Sequence, residues 1–269
     1  MITSTSNQQM KNLSALMKKS KERREQGVFV VEGTKMVAEA PLEWLKTVYV
    51  SETYEKASEH AQFIQDLKHQ GIVIEIVADN VFKAVSDTQT PQGILAVVSM
   101  PVYSLEELLQ GDKTHLLILE SIQDPGNLGT MVRTGEGAGV SGIIMNKTTV
   151  DLFNPKTIRS TMGSIYRVPF YVTDNLEETL ELLKKEGINL YAAHLKGKAS
   201  YDEMDYTAPT GFLIGNEGNG LSDTIADMAS AYIKIPMEGQ VESLNAAISA
   251  TLLMYEANRQ RRKASENLV

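Results

Sequence analysis

Apolar residues along this chain come in short runs, and between the runs lie longer stretches whose apolar positions recur three and four apart. Short runs bounded by turn residues read as buried strands, and the intervening stretches read as helices. In the first half the strands fall at Val28–Val31, Lys46–Val50, Ile72–Val77 and Ile94–Val98. A helix over 13–26 precedes them and closes at Gly27, a C′ position. Glu32-Gly33 turns into a short helix ending before Pro41, and Thr53–Gln70 is helical up to Gly71. Residues 101–113, with a short helix over Leu105–Leu109 and then Gly111-Asp112, read as a linker. It separates a domain at 1–100 from one at 114–269.

The second half alternates more regularly. Its strands are expected at His115–Leu119, Gly142–Met145, Val168–Tyr171, Asn189–Ala193, Gly211–Ile214 and Tyr232–Ile235. They are apolar on both faces, which is the pattern of a parallel sheet covered by helices. A last helix runs from about Leu244 to Arg262. Leu244, Ala247, Ile248, Thr251, Leu252 and Tyr255 share one of its faces, as core or as a subunit interface. The whole is α/β, a small domain followed by a parallel-sheet domain.

Composition narrows the function. Hydrophobic residues are 42% of 269, and no apolar run approaches the ~18 residues of a membrane span. The N-terminus MITSTSNQQMKNL has no signal-peptide apolar core. Cysteine is absent, which removes disulfides, thiolate nucleophiles and cysteine-bound metal. A cytoplasmic location is the expectation. His60, His69, His115 and His194 show no metal-ligand spacing. Net charge is −8, yet Lys11–Glu25 holds six Lys or Arg against two Glu, and Arg259, Arg261, Arg262 and Lys263 form a second basic cluster. Such local patches suit phosphate, or are solvated helix ends.

The chemistry-bearing stretch is Gly211–Asn245. An apolar strand stops at Gly215-Asn216-Glu217-Gly218-Asn219-Gly220, where three glycines allow a tight turn around a carboxylate. The strand Tyr232–Ile235 ends at Pro236, and Ser243-Leu244-Asn245 launches the last helix. Earlier, His115–Leu119 leads into Asp124-Pro125-Gly126-Asn127-Leu128-Gly129, a helix start with Arg133 following. Helix starts present N–H groups to anions; Asn127 as a helix cap with a surface arginine is the plainer alternative. Ser243 and Asn245 are likewise either site residues or the cap of the last helix. A nucleophile elbow and a P-loop are both missing from the sequence. Gly135-Glu136-Gly137-Ala138-Gly139 ends a helix instead of joining a strand to one, so it is not a dinucleotide fingerprint, which argues against a nicotinamide dehydrogenase.

Taken in order, three segments resemble the motifs of the SpoU (TrmH) family of RNA ribose 2′-O-methyltransferases. They are Asp124–Gly129 with Arg133, Gly215–Leu221, and Ile235-Pro236-Met237 with Ser243-Leu244-Asn245. The run Asp151–Phe170, with Asn154-Pro155, Arg159-Ser160 and Gly163, is also similar. Ser164 stands where the family more often has Ala, and the details of His194-Leu195-Lys196-Gly197 depart from its pattern. Val28–Gly33 resembles the start of the family's N-terminal substrate-binding domain, which is like a ribosomal RNA-binding protein.

The resemblance implies a C-terminal domain of SPOUT type with a trefoil knot. Chains in general do not knot, so that expectation comes from the resemblance alone. It also implies a homodimer through the knotted domain and the last helix, with S-adenosylmethionine as cofactor and no metal. Gly215, Ile235, Leu244, Asn245 and His194 fall on positions that bind the cofactor. Arg133, Asn127, Glu217, Ser243 and Asn245 fall on catalytic positions. Arg133 is expected to hold the ribose and its phosphate. Guanidinium groups keep their proton at neutral pH, so substrate phosphate or water is an alternative proton acceptor. Asn127 would orient the substrate or Arg133, and Glu217 would orient Arg133 or a neighbouring loop. Ribosomal RNA of the 23S type is favoured over transfer RNA. A noncatalytic RNA-binding protein of the same fold is the other reading.

Overall fold

Two sheets organise the chain. The computed structural model describes residues 1–111 and 113–266. Asp112, in the expected linker, and residues 267–269, at the end of the expected second domain, lie outside the described residues. One compact unit comprises Met1–Pro101 with Asp151–Tyr166, and the other Val102–Val150 with Arg167–Val269.

The first unit begins with α1 (Gln8–Lys18) and α2 (Ser20–Gln26), where one helix over 13–26 was expected. Lys19 is extended and breaks the run. Arg23 of α2 folds back and donates to the Leu16 and Met17 carbonyls at the end of α1 (2.6 and 3.3 Å), satisfying acceptors that a helix end leaves open. Gly27 adopts φ 62°, the left-handed cap the sequence predicts. Then follow β1 (Val28–Glu32), α3 (Thr34–Ala38), β2 (Leu45–Ser51), α4 (Glu52–Lys56), α5 (Ser58–His69), β3 (Val73–Val77), α6 (Asp79–Val85) and β4 (Ile94–Ser99). The helix expected over 53–70 breaks at Ala57, and across that break Tyr54 stacks on His60 at 3.7 Å. The sheet order is β1-β4-β2-β3, with β2 and β3 parallel and the other pairs antiparallel. Met10, Leu13, Leu16, Val30, Phe82 and Leu95 share its core.

The chain continues through α7 (Leu105–Leu108), β5 (His115–Leu119), α8 (Pro125–Ala138), β6 (Gly142–Asn146) and α9 (Pro155–Thr161). The segment carrying α9 lies within the expected 114–269 domain in sequence, yet it groups with the first unit. There Phe153 meets Phe29 (4.8 Å), the Tyr166 hydroxyl donates to the Met36 carbonyl (2.8 Å), Arg159 pairs with Asp87 (2.6 Å), and Asp151 receives the buried Arg23 (2.5 Å).

The second unit adds β7 (Phe170–Thr173), α10 (Leu176–Lys185), β8 (Asn189–Ala193), β9 (Ala199–Ser200), β10 (Thr210–Ile214), α11 (Asp223–Asp227), β11 (Ala231–Lys234) and α12 (Ala246–Glu266). Its seven strands run parallel in the order β7-β6-β5-β10-β8-β11-β9. β7 starts two residues later than expected because Pro169 has no N–H for the ladder. The last helix starts at Ala246, not Leu244, and its core face also differs from the expected stripe. Ala247, Ala250, Leu253, Met254 and Ala257 are buried, while Ile248 and Tyr255 remain 49% and 45% exposed. Small side chains let α12 lie close on α8; a Cβ on Gly137 would sit 2.6 Å from the Tyr255 hydroxyl.

Candidate functional site

The loops that follow β5, β8, β10 and β11 leave the carboxyl ends of neighbouring parallel strands, the edge where open α/β sheets bind ligands. β10 and β11 are separated by β8, which places His194 among them.

At the end of β5 the cap of α8 is Asp124, whose carboxylate accepts the Asn127 N–H (2.8 Å), with Pro125 opening the helix. Asn127 is therefore not the cap. Its side chain points outward and reaches two other motifs. Nδ2 donates to Glu217 Oε1 (3.0 Å), and Oδ1 accepts from Asn245 Nδ2 (2.9 Å). Glu217 also accepts the backbone N–H groups of Gln123 and Asp124, both at 3.0 Å. Partial burial pushes its carboxyl up, but the hydrogen bonds from Asn127, Gln123 and Asp124 outweigh that and hold it below the ordinary carboxylate value. Glu217 is thus an anion at the start of α8, where the helix dipole favours one. Asn245 caps α12, its Oδ1 accepting from Ala247 and Ile248 N–H (2.9 and 3.3 Å). One hydrogen-bonded chain, Glu217–Asn127–Asn245, joins residues 90 and 118 positions apart.

The remaining expected residues make no hydrogen bond to this chain of three among the described residues. Ser243 is exposed and makes no hydrogen bond among the described residues. Arg133 is exposed on α8. Six residues beyond Asn127, it projects from a different side of the helix. Glu217 spends its oxygens on the Gln123–Asn127 turn, so of the two roles expected for it the structure carries the loop-orienting one. Gly215 is buried, and a Cβ there would lie 2.1 Å from the backbone of Gly220 and Leu221, so only glycine fits. His194 Nδ1 accepts from the Lys196 N–H (3.1 Å), and its ring leans on Tyr232 at 4.9 Å. Ile235 and Leu244 are half-buried at the two ends of an irregular loop. Residues 236–244 make no hydrogen bond with the chain among the described residues, so their backbone groups are open to a ligand. Open backbone donors and acceptors beside two apolar side chains are groups that could hold the polar edge and flat face of a cofactor. Ser121, Gln123 and Asn216 also belong to this network. They escaped the sequence reading because the side chains of Gln123 and Asn216 bond to backbone groups and Ser121 bonds to Asn146 and Thr148 some 25 residues away, and no residue pattern advertises either.

The basic clusters divide on folding. Arg23 is 3% exposed and consumed by Asp151, whereas Lys11, Lys18, Lys19, Lys21 and Arg24 are exposed. Arg261 donates to the carbonyls of Lys113, Thr114, Tyr206 and Ala208, and Arg259 pairs with Glu256. Much of the C-terminal cluster is therefore structural.

The sequence model of the SpoU rRNA Methylase family matches residues 114–255, and that of the MRM3-like substrate binding domain matches residues 7–96. The chain is 36% identical over 255 residues to 23S rRNA (guanosine(2553)-2′-O)-methyltransferase RlmP of Bacillus subtilis (strain 168), covering 94% of this chain and 97% of the relative. The AdoMet-bound rRNA methyltransferase from Sinorhizobium meliloti superposes with a TM-score of 0.85 at 32% identity, covering 96% of this chain and 97% of that one. The SpoU methyltransferase AviRb from Streptomyces viridochromogenes, in complex with AdoMet, gives 0.85 at 26% identity over 95% and 98%. Similarity of this extent, running through both units and all three motifs, makes the chain a member of the SpoU rRNA methylase family.

Proposed function

We propose that this protein transfers a methyl group from S-adenosylmethionine to a ribose 2′-hydroxyl of ribosomal RNA, of the 23S type. The observation that carries the reading is the Glu217–Asn127–Asn245 chain, which brings one residue from each motif to one place. The names of the relatives, an rRNA 2′-O-methyltransferase and AdoMet-bound structures among them, point the same way.

S-adenosylmethionine supplies an activated methyl group to an in-line displacement. The new bond forms at the ribose oxygen, the sulfur–carbon bond breaks, and the hydroxyl proton leaves to substrate phosphate or water. The chain's part is positioning, which supplies up to ~7–11 kcal/mol in favourable cases. Asn127, held on one side by Glu217 and on the other by Asn245, orients the acceptor ribose. Arg133 offers a cation for the neighbouring phosphate and the developing alkoxide. Ser243 offers an exposed hydroxyl two residues before Asn245. Gly215, His194, Ile235, Leu244 and Asn245 hold the cofactor, largely through backbone groups. Residues 1–100 bind the RNA, with the exposed lysines of α1 and α2 as phosphate contacts.

The chain returns after β11 to lay α12 on α8, consistent with a trefoil knot in the 114–269 domain. The half-exposed Ile248 and Tyr255 support a homodimer through α12. Among the described residues no helix is long and apolar enough to cross a membrane, and a cytoplasmic enzyme is the reading that fits an RNA substrate.

The test is tritiated methyl incorporation from S-adenosylmethionine into unmodified ribosomal and transfer RNA side by side. Label mapped to a ribose of ribosomal RNA is expected. Label in transfer RNA alone would change the substrate, and cofactor binding without label in any RNA, assembled subunits included, would favour a noncatalytic RNA-binding protein. Arg133→Ala is expected to abolish transfer with cofactor affinity retained; loss of that affinity would refute its assigned role.

A further inference from the structure

The geometry points to Asn216 as a positioning residue for methyl transfer, acting through Ser121; this rests on the methyltransferase reading above. Ser121 lies in the left-handed region at φ 57° although it carries a side chain. Such a residue persists only where its surroundings hold it. Here each of its polar groups is engaged. Its N–H donates to Asn146 Oδ1 (2.9 Å), and its hydroxyl pairs with Thr148 Oγ1 (2.6 Å) and accepts from Asn146 Nδ2 (3.2 Å). Its carbonyl accepts from Asn216 Nδ2 (2.9 Å) and Gln123 Nε2 (3.0 Å). The turn at Ser121 sends Ile122 into the core and aims the next two N–H groups, of Gln123 and Asp124, at Glu217.

Asn216 works in both directions. While Nδ2 holds the Ser121 carbonyl, Oδ1 accepts the N–H groups of Gly218 and Asn219 (2.9 and 3.0 Å) and shapes the turn that carries Glu217. One amide side chain therefore fixes both partners of the Glu217 contact, the carboxylate and the two N–H groups that receive it. Asn127 and Asn245 inherit their positions from that contact. The task requires a group that donates on one side and accepts on the other, which aspartate, of the same shape, does not do at neutral pH.

Asn216→Asp tests this with little change of volume. The expected result is a kcat for methyl transfer lower by roughly 10- to 100-fold, the scale on which small misplacements cost rate. KM for RNA and Kd for S-adenosylmethionine should stay within about twofold. Amide hydrogen exchange over 121–124 should rise in the variant. A kcat within twofold of the parent, unchanged exchange, or a loss of cofactor affinity equal to the loss of rate would each overturn the proposal. Absence of transfer by the parent enzyme would instead sink the methyltransferase reading. The exchange measurement would then still decide whether Asn216 holds the two turns.

Discussion

Glu217→Gln isolates what the carboxylate does for the site. In the parent its two oxygens accept three hydrogen bonds of 3.0 Å, Oε2 from Gln123 N–H and Oε1 from Asp124 N–H and Asn127 Nδ2. A glutamine keeps one oxygen, which can serve Asp124 and Asn127, and turns its NH₂ toward the Gln123 N–H. Hydrogen bonds to a charged group contribute ~1.5–3 kcal/mol when buried, and at this exposed residue solvent reduces each to roughly 0.5–1 kcal/mol. The lost bond, the donor-to-donor contact and the lost charge at the start of α8 together amount to about 1–2 kcal/mol, or about 2–8 °C in Tm. The effect should depend on pH in a defined sense. The hydrogen bonds hold the Glu217 carboxyl below its ordinary value. Its stabilisation is therefore complete above that ordinary value, ~4.3, and is lost as pH falls through the lower folded value. Calorimetric Tm for parent and variant from pH 7 to pH 3 should show a constant gap down to about 5.5 that narrows on further acidification. Equal Tm at pH 7, or a gap that does not narrow, would refute the reasoning.

Three other outcomes follow from the structure. Asp151→Ala leaves the Arg23 guanidinium, 3% exposed, with only carbonyl partners; it should cost about 3–5 kcal/mol, and Arg23→Met less, by denaturant unfolding. His115 is buried and its imidazole is pushed down to about 3, chiefly by burial and then by Arg261. The unfolded chain binds that proton near 6.5, so stability should fall between pH 6.5 and about 3 by at most ~1.4 kcal/mol per unit, and His115→Leu should flatten that slope in acid titrations. Gly215→Ala forces a methyl to within 2.1 Å of the Gly220–Leu221 backbone; calorimetry should show at least a tenfold loss of S-adenosylmethionine affinity, and unchanged affinity would remove Gly215 from the cofactor site.

The order of strands and helices was legible because each strand of the parallel sheet is a closed apolar run, as at His115–Leu119 and Asn189–Ala193, where the expected and observed bounds coincide. Family membership was legible for a different reason: three motifs, two of them dense in Gly, Asn and acidic residues and the third marked by Ile235-Pro236-Met237 and Ser243-Leu244-Asn245, stand in a fixed order. Breaks at Lys19 and Ala57 were not legible, since no proline or glycine marks them and the tertiary contacts of Arg23 and Tyr54 decide them. Which face of α12 is core was not legible in its apolar stripe, which the sequence leaves as core or subunit interface, because alanine carries a weak hydrophobic signal while close approach to α8 rewards small side chains over large ones. Grouping of Asp151–Tyr166 with the first unit depends on Arg23, Met36 and Asp87, all far away in sequence.

By itself, then, the sequence determined the three family motifs, their order and the loops in which they stand, because residue type and local spacing are properties of the chain. What only the tertiary structure decided is their connection. That Glu217 grips the 123–127 turn rather than Arg133, that Asp124 rather than Asn127 caps α8, and that Asn216 reaches Ser121 all depend on strand order. β5 and β10 are neighbours in the sheet although nearly a hundred residues separate their ends, and hydrogen bonds act across 3 Å of space whatever the length of chain between.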